Sequence, residues 1–309
     1  MHPLIRIIPA PLVRIFARPY VAGDSLEKAL DACAQLWIGR RLLATLDLLA
    51  EGITTAEQVE QNVQTYLRMV DAVAADPRFA DASVRPTLSL KPSSYTTDPM
   101  ERGGLAAGSR EAVYRIAERA KERGVGLTLD MESRHWTEYT LDLLSDLHRD
   151  GHSHVGAVIQ TRLHRSEQDL ARLPAGIRVR LVIGIYKEPA AVALTDKEEM
   201  KRRMLHFAGL LLARGHYVEF ASHDERYVRR FVEEVAPAAK AGPERFEVQM
   251  LYGVPRERFL GELGQRGVRA RLYTPFALGW SMAIAYLRRR LDEYPAMIFL
   301  VAKNMLFRG

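Results

Sequence analysis

The chain has 309 residues, of which 48% are hydrophobic, and it carries a formal net charge of +6. This length suits one large globular domain or two modest ones, and the single cysteine, Cys33, excludes an intramolecular disulfide and favours a reducing, cytoplasmic setting. The basic clusters lack interleaved aromatic residues, which predicts no nucleic-acid partner, and no apolar run approaches the ~20 residues that span a bilayer. The apolar residues 1–16 lack the order of a signal peptide, and we expect them to pack on the body or to rest on a membrane surface.

Helix-like and strand-like runs alternate along almost the whole chain. After a capped helix at residues 26–37, an apolar run at 42–49 predicts the first buried strand, and residues 56–73 predict an amphipathic helix. Seven further strands are predicted at 87–90, 126–130, 155–160, 179–185, 217–221, 246–250 and 268–273. The remaining helices are predicted at 109–123, 136–149, 166–172, 196–214, 224–239, 255–266 and 283–292.

Eight near-continuous apolar strands, each followed by a helix, predict an α/β fold in which a parallel sheet closes into a (β/α)8 TIM-like barrel. An open doubly wound sheet is the competing architecture, but residues 51–55 do not form the glycine-rich turn that such sheets usually carry after the first strand. We therefore predict extra N-terminal helices in residues 1–40, packed on a catalytic barrel of residues 41–309. Residues 99–109 predict a flexible loop after the second strand.

In a barrel of this type the active site forms at the carboxyl ends of the strands. Each predicted strand ends in a polar or ionisable side chain. In strand order, these residues are Glu51, Lys91, Asp130 with Glu132, Gln160, Arg180 with Tyr186, Ser222 with His223 and Asp224, Gln249, and Tyr273. Any one of them could be a loop residue or a helix cap, but eight such strand ends converging on one rim predict a functional site.

Several other chemistries lack support in the sequence. His148, His152 and His154 precede the fourth strand, which places them at the opposite face of the barrel, and no HExxH motif occurs, so we expect no metal site. No Walker A sequence, GxSxG elbow or glycine-rich dinucleotide fingerprint follows a strand. Lys91 at a strand end could form a Schiff base, which leaves a lyase as an alternative class of enzyme.

The predicted last helix contains YLRRRLDE at residues 286–293. Tyr286, Arg289, Arg290 and Glu293 are separated by steps of three and four, so they share one helix face. Two adjacent guanidiniums beside a phenol form a fork-shaped receptor for a small carboxylate. Taken alone, this face is more simply explained as a solvated basic surface, and its position after the eighth strand is what favours a binding role.

Together the motifs resemble those of the proline dehydrogenases, flavin enzymes with a (β/α)8 barrel. The resemblance runs from about residue 20 to the C-terminus. Its landmarks are residues 21–25 (VAGDS), 46–51 (LDLLAE), 88–91 (LSLK), 127–132 (LTLDME), 158–160 (VIQ), 180–186 (RLVIGIY), 219–224 (EFASHD), 246–253 (FEVQMLYG), 273–275 (YTP) and 286–293 (YLRRRLDE). One such motif is weak, but all of them in order form a specific signal.

The resemblance implies a role for each matching position. The catalytic residues would be Lys91, Asp130 and Arg180, the last beside N5 of the flavin. Proline would be bound by Lys91, Leu251, Tyr273, Tyr286, the carboxylate clamp of Arg289 and Arg290, and Glu51, which closes the site. FAD would contact Met131, Gln160, Arg180, Ser222, His223, Gln249 and Glu293.

The implied reaction is the FAD-dependent oxidation of L-proline to Δ1-pyrroline-5-carboxylate by hydride transfer to N5 of FAD, the first step of proline catabolism. No side chain can accept a hydride, so the chemistry itself requires a cofactor. The electrons would pass to a quinone, which would bring a cytoplasmic chain to the inner face of the membrane as a peripheral protein. A separate pyrroline-5-carboxylate dehydrogenase would consume the product.

Two positions depart from the family pattern. Ile183 and Ile185 stand where the family usually has lysine and alanine, which removes a cation beside the flavin and enlarges a side chain beside the substrate. Ile185 leaves a modified cyclic imino acid such as hydroxyproline as an alternative substrate. Ile183 leaves a non-catalytic, imino-acid-binding barrel as an alternative function.

Overall fold

The computed structural model of the protein describes residues 18–50, 52–280 and 284. In this part of the chain, eight parallel strands close into a barrel in which each strand pairs with the next in sequence and the last pairs with the first. The strands are β1 (Leu43–Leu48), β2 (Thr87–Leu90), β3 (Leu127–Leu129), β4 (Val155–Gln160), β5 (Arg178–Val182), β6 (Tyr217–Ala221), β7 (Phe246–Leu251) and β8 (Arg269–Phe276). The predicted (β/α)8 barrel is confirmed, and the doubly wound alternative is excluded.

One helix precedes the first strand and the others lie between consecutive strands. They are α1 (Leu26–Arg40), α2 (Ala56–Ala75), α3 (Ser109–Arg123), α4 (Arg134–Arg149), α5 (Ser166–Leu170), α6 (Lys197–Ala213), α7 (Glu225–Arg230) and α8 (Glu257–Gln265). Helix α7 continues through a π-helical turn, Phe231–Val235, and a short last segment, Ala236–Ala238. The predicted helix at residues 283–292 lies outside the described residues except for residue 284. In the described part of the chain, no helix is both long and apolar enough to cross a bilayer.

Local signals explain where the first helices begin. The Thr55 side chain accepts a hydrogen bond from the Gln58 main chain, and the Gln58 side chain accepts from the main chain of Thr55, which forms a capping box at the start of α2. Ser25 caps α1 in a similar way by accepting from the Lys28 N–H at 3.4 Å. Helix α1 buries Cys33 in the main hydrophobic core, and burial raises the pKa of this thiol to about 12. The division of the chain near residue 40 stays a prediction.

Strand β5 is shorter than predicted. It ends at Val182 because Gly184 adopts a φ of +101°, a conformation that a strand does not contain. Residues 183–186 therefore form a loop at the carboxyl end of the barrel. The loop after β2 contains a 3₁₀ turn, Met100–Arg102, in which Glu101 accepts a hydrogen bond from Trp136 Nε1 at 2.6 Å.

The two sides of the strands have different chemistry. Leucine, valine and phenylalanine side chains on the outer side pack against the helices, while charged side chains alternate with them and fill the barrel interior. Deep in the interior, Arg271 Nε donates to Glu247 Oε1 at 2.5 Å and Arg178 Nη1 donates to Glu219 Oε1 at 3.0 Å. Buried charges require such partners, so the interior is built from ion pairs rather than from the branched apolar side chains that are common in these barrels.

Candidate active site

Four side chains meet at the carboxyl end of the barrel. Asp47 comes from β1, Lys91 follows β2, Asp130 follows β3 and Tyr273 lies in β8. Lys91 Nζ donates to Asp47 Oδ1, donates to the Tyr273 hydroxyl at 3.4 Å and lies 3.7 Å from Asp130 Oδ2. The Tyr273 hydroxyl in turn donates to Asp130 Oδ2 at 2.8 Å. A connected polar cluster therefore closes the top of the barrel.

The surroundings of Lys91 fix its charge. Burial by itself disfavours an ammonium, but the neighbouring Asp47, Tyr273 and Asp130 outweigh it and raise the pKa of Lys91 well above its ordinary value. A Schiff-base lysine needs the opposite shift, because only the neutral amine attacks a carbonyl carbon. The site therefore favours Lys91 as a fixed positive charge and disfavours the lyase alternative.

Arg180 is the second buried cation of the site. Its Nη1 donates to Asp130 Oδ1 at 3.0 Å and its Nε donates to Gln249 Oε1 at 2.7 Å. Ser89 Oγ adds a donor to the same Asp130 oxygen at 2.6 Å, so three side chains donate to this carboxylate. The guanidinium is held over the Tyr273 ring, 5.2 Å from its centroid, and is 4% exposed. The position of Arg180 is thus set from three sides.

Unsatisfied polar atoms surround this cluster. Within the described residues, Arg180 Nη2, Gln160 Oε1 and His223 Nδ1 are buried and have no hydrogen-bond partner. His223 Nε2 accepts from the Leu251 N–H at 3.2 Å, so its Nδ1 carries the ring proton. Burial, together with Arg256, lowers the pKa of His223 to about 4, which keeps the imidazole neutral at pH 7. Two donors and one acceptor are therefore available, and a flavin ring, which offers carbonyl oxygens, ring nitrogens and an N–H, fits them chemically.

Glu132 connects two of the strand ends. Its carboxylate accepts from the Ser93 N–H at 3.0 Å and from the Ser93 hydroxyl, and its main-chain oxygen accepts from Gln160 Nε2. Burial raises the pKa of Glu132 to about 7, although the two hydrogen bonds from Ser93 oppose the shift. The turn Pro92–Tyr95, which follows Lys91 directly, is therefore anchored to the end of β3.

Apolar side chains are exposed at the same end of the barrel. Ile185, Leu251 and Leu278, which follow β5, end β7 and follow β8, are 37%, 47% and 38% exposed. Exposed apolar side chains beside polar groups at a strand-end rim are typical of a ligand-binding cleft. Leu251 lies here as predicted for a substrate contact, and the contact itself stays a prediction.

The structure brings together five of the predicted strand-end residues that it describes. Lys91, Asp130, Arg180 and Tyr273 form one cluster, and Gln249 lies beside Arg180, with its Nε2 donating to Glu247 at 2.7 Å. Ser222 Oγ accepts from the Asp224 N–H at 3.1 Å, and Met131 is buried beside Asp130. Glu51, Tyr286, Arg289, Arg290 and Glu293 lie outside the described residues, so the carboxylate clamp stays a prediction.

Asp47 is a site residue that the sequence reasoning missed. It is the acidic residue between Leu46 and Leu48 in a fully buried strand, and a buried carboxylate in such a run requires a cationic partner. An isolated acidic residue in a buried strand was therefore the sequence signal that could have identified Asp47 as a site residue. For metals, the described part of the chain contains no group of three or more His, Cys, Asp or Glu side chains placed to hold an ion.

A closed parallel barrel whose strand ends gather a lysine, an aspartate, an arginine and a tyrosine defines a (β/α)8-barrel enzyme. The family model described as proline dehydrogenase matches residues 32–297. The chain therefore belongs to the proline dehydrogenase family and is an oxidoreductase, and the members of this family are in general flavoenzymes.

Individual relatives agree with the family match. The proline dehydrogenase of Deinococcus radiodurans is 34% identical over 298 residues, which cover 94% of the chain and 90% of that protein. Proline dehydrogenase 1 of Bacillus subtilis (strain 168) is 32% identical over 297 residues, which cover 95% and 91%. The crystal structure of proline utilization A (PutA) from Bdellovibrio bacteriovorus inactivated by N-propargylglycine has a TM-score of 0.77 at 22% identity, over 89% of the chain. The chain spans 32% of that solved chain, with which it shares the fold.

Proposed function

We propose that the chain oxidises L-proline to Δ1-pyrroline-5-carboxylate with FAD as its bound cofactor, as the first step of proline catabolism. The observation that carries this proposal is the cluster of Lys91, Asp130, Arg180 and Tyr273, in which Arg180 keeps a buried donor without a partner among the described residues. The names of the relatives from Deinococcus radiodurans and Bacillus subtilis support proline as the substrate.

Each residue of the site has a task in this proposal. Bound FAD supplies the acceptor for the hydride that leaves the substrate carbon. Arg180, Gln160 and His223 hold the flavin ring with the atoms that have no partner among the described residues. Because Asp130 and Gln249 orient the Arg180 guanidinium, this charge is preorganised where negative charge develops in the ring.

The substrate side of the site rests on the remaining residues. Arg289 and Arg290 bind the carboxylate of proline, with Tyr273 and Tyr286 as walls of the pocket and Glu51 as its closure. A bidentate clamp of this kind holds proline in one orientation, so that the ring carbon that loses the hydride faces the cofactor. The Lys91 ammonium, held by Asp47, adds a fixed positive charge beside the substrate.

The electrons pass from the reduced cofactor to a quinone, and the chain binds peripherally to the inner face of the membrane. A separate pyrroline-5-carboxylate dehydrogenase consumes the product. These steps rest on the resemblance and on the positive net charge of +6, which attracts the chain to anionic surfaces. Co-sedimentation with anionic vesicles and reoxidation of the reduced flavin by a soluble quinone would test them.

The visible spectrum of the purified protein tests the proposal. We expect flavin absorbance, directly or after FAD is added, and we expect anaerobic L-proline to bleach it. Lys91→Met should retain flavin and lose the bleaching, whereas Lys28→Met, an exposed lysine of α1, should behave as the wild type. Absence of flavin binding after FAD is added would refute the proposal and would favour a non-catalytic barrel.

The alternative substrate is an outcome of the same experiment. Ile185 is exposed at the rim of the site, where its side chain differs from the usual alanine of the family. If hydroxyproline or another cyclic imino acid bleaches the flavin faster than L-proline does, the substrate is that analogue and the cofactor assignment stands.

A further inference from the structure

Arg162 lies at the carboxyl end of the barrel beside Gln160. It is the second residue after β4, and its main-chain N–H donates to the Ile183 oxygen at 3.2 Å. Its Nη1 donates to the Tyr186 oxygen and lies 3.5 Å from the Gly184 oxygen. One end of the guanidinium therefore holds the loop at residues 183–186.

The other side of the Arg162 guanidinium has no partner in the part of the chain that the structure describes. Arg162 Nε is buried and has no hydrogen-bond partner within the described ranges, where no carboxylate lies within ion-pair distance of Arg162 either. Arg165, three residues later, shows the usual arrangement, because it pairs with both Glu138 and Asp169. A partly buried cation with no counter-ion in the described structure is costly, and a bound ligand would remove that cost.

Gln160 presents the complementary group at the same place. Its Nε2 donates to the Glu132 oxygen, which fixes the amide so that the buried Oε1, which has no partner among the described residues, is the end left for a ligand. A Cβ built on Gly184 would overlap Gln160 Oε1 and would come within 2.9 Å of Arg162 Cδ. The acceptor and the donor thus lie against the same point of the loop, and only glycine leaves room for both.

We propose that Arg162 and Gln160 bind the imide edge of the flavin ring, with Arg162 Nε donating to a ring carbonyl oxygen and Gln160 Oε1 accepting from the ring N–H. A phosphate group offers acceptors only and would leave Gln160 Oε1 unsatisfied, whereas an imide offers both an N–H and a carbonyl oxygen. This inference rests on the proposed function, because it takes FAD as the ligand. It adds Arg162 as a cofactor-binding residue and as a positive charge that stabilises the reduced, anionic ring.

Binding and potential measurements on the apoprotein test the inference without any proline oxidation. We expect Arg162→Met to weaken FAD binding roughly ten- to a hundred-fold, the loss expected for one charge-assisted hydrogen bond, and to lower the two-electron reduction potential of bound FAD. Arg162→Lys should recover part of the potential but less of the affinity, because it keeps the charge and loses Nε. Arg258→Met, which removes a 95% exposed arginine side chain from α8, is the matched control and should change neither quantity.

A flavin analogue separates ligand binding from a merely structural role. In N3-methyl-FAD the ring N–H is blocked, so the imide edge can no longer pair with Gln160 Oε1. If Arg162 binds that edge, Arg162→Met should weaken N3-methyl-FAD binding far less than FAD binding, since the methyl group already keeps the imide edge away from both Gln160 and Arg162. If Arg162 only holds residues 183–186, both ligands should lose affinity by the same factor and the potential should stay unchanged, which would overturn the inference.

Failure of this inference differs from failure of the proposed function. A wild-type chain that binds no FAD would overturn both. A wild-type chain that binds FAD as tightly as its Arg162→Met variant would overturn the role of Arg162 alone and would leave the proposed oxidation of proline in place.

Discussion

Asp47 and Asp130 bind different cations of the site, Lys91 and Arg180. Asp47 binds Lys91, whereas Asp130 accepts from Arg180 and from the Tyr273 hydroxyl. If Asp47 were uncharged, Lys91 would turn to Asp130, which is already 3.7 Å away, and would compete with Arg180 for the same carboxylate. We therefore expect Asp47 to position Lys91 and to keep Asp130 free to accept from Arg180, Ser89 and Tyr273.

Removing the charge of Asp47 should make Lys91 easier to deprotonate. The pKa of Lys91 is raised by Asp47, Tyr273 and Asp130, so Asp47→Asn should lower it, and an acylating reagent should label Lys91 at a lower pH than in the wild type. The other ionisable side chains that act electrostatically on Lys91, or that Lys91 acts on, are Tyr66, Tyr95 and Glu132.

Peptide mapping of the labelled protein across a pH series measures this change. Asp31→Asn, which alters an exposed carboxylate of α1, is the control and should leave the labelling of Lys91 as it is in the wild type. A labelling curve for Asp47→Asn that coincides with the wild-type curve would show that Asp47 does not fix the charge of Lys91.

At the scale of secondary-structure elements, the turn Pro92–Tyr95 places Lys91 because it is tied to its neighbours on both sides. Glu132 binds Ser93 from the β3 side, while Ser94 Oγ donates to the Ala50 oxygen at 3.2 Å from the β1 side. Asn62 of α2 donates to the Ser94 oxygen at 3.0 Å. Three elements therefore hold one turn, so a change in any of them should be transmitted to Lys91.

The charge of Glu132 should make the stability of the fold depend on pH. Its pKa rises from 4.5 to about 7 on folding, so between these values the folded chain binds more protons than the unfolded chain. Stability must then fall as pH rises through this window, by about 3 kcal/mol in all for a shift of this size. Glu132→Gln keeps an acceptor for the Ser93 N–H and removes the ionisation, so its stability relative to the wild type should increase between pH 5 and pH 8.

Urea unfolding at a series of pH values gives this difference directly. Glu111→Gln, an exposed position on α3, should run parallel to the wild type over the whole range. Parallel curves for Glu132→Gln as well would mean that Glu132 is not the group that titrates in this window.

The elements themselves were largely predictable, and their exceptions have physical reasons. Short, mostly apolar runs between turn residues located β2, β4 and β6 to the residue. The end of β5 was predicted three residues too late, since the apolar Ile183 and Ile185 flank Gly184, whose positive φ ends the strand. The hydrophobicity of the sequence does not indicate the positive φ of Gly184.

At the scale of the whole molecule, the sequence predicted the closed barrel and the rim of polar strand ends but missed how the interior is filled. The pairing of Asp47 with Lys91 depends on the register of β1 against its neighbours and on which face each residue turns inward. Which atoms of Arg180 and Arg162 have no partner among the described residues depends on contacts among several strands. Local patterns carry no information of either kind, so side-chain pairs across the barrel had to come from the structure.

The interior of the barrel is balanced in charge. Among the described residues, four acids and four bases fill it from bottom to top. They are Asp47, Asp130, Glu219 and Glu247, with Lys91, Arg178, Arg180 and Arg271. Since a buried charge is tolerated only with a partner, we expect removal of one member to cost much more than removal of a complete pair.

The pair of Arg271 and Glu247 allows a sharp test of this balance. Burial by itself raises the pKa of Glu247, but Arg271 outweighs burial and holds this pKa below its ordinary value. Arg271→Met should destabilise the fold by roughly 3–5 kcal/mol because Glu247 is left buried and unpaired, and Arg271→Met with Glu247→Met should recover part of that loss. Urea unfolding measures the stability of both variants.

Arg115→Met, which breaks the exposed pair with Glu60, is the control and should cost no more than about 1 kcal/mol. If Arg271→Met costs as little as Arg115→Met, or if the double variant is less stable than Arg271→Met alone, the interior is held together by packing rather than by balanced charge.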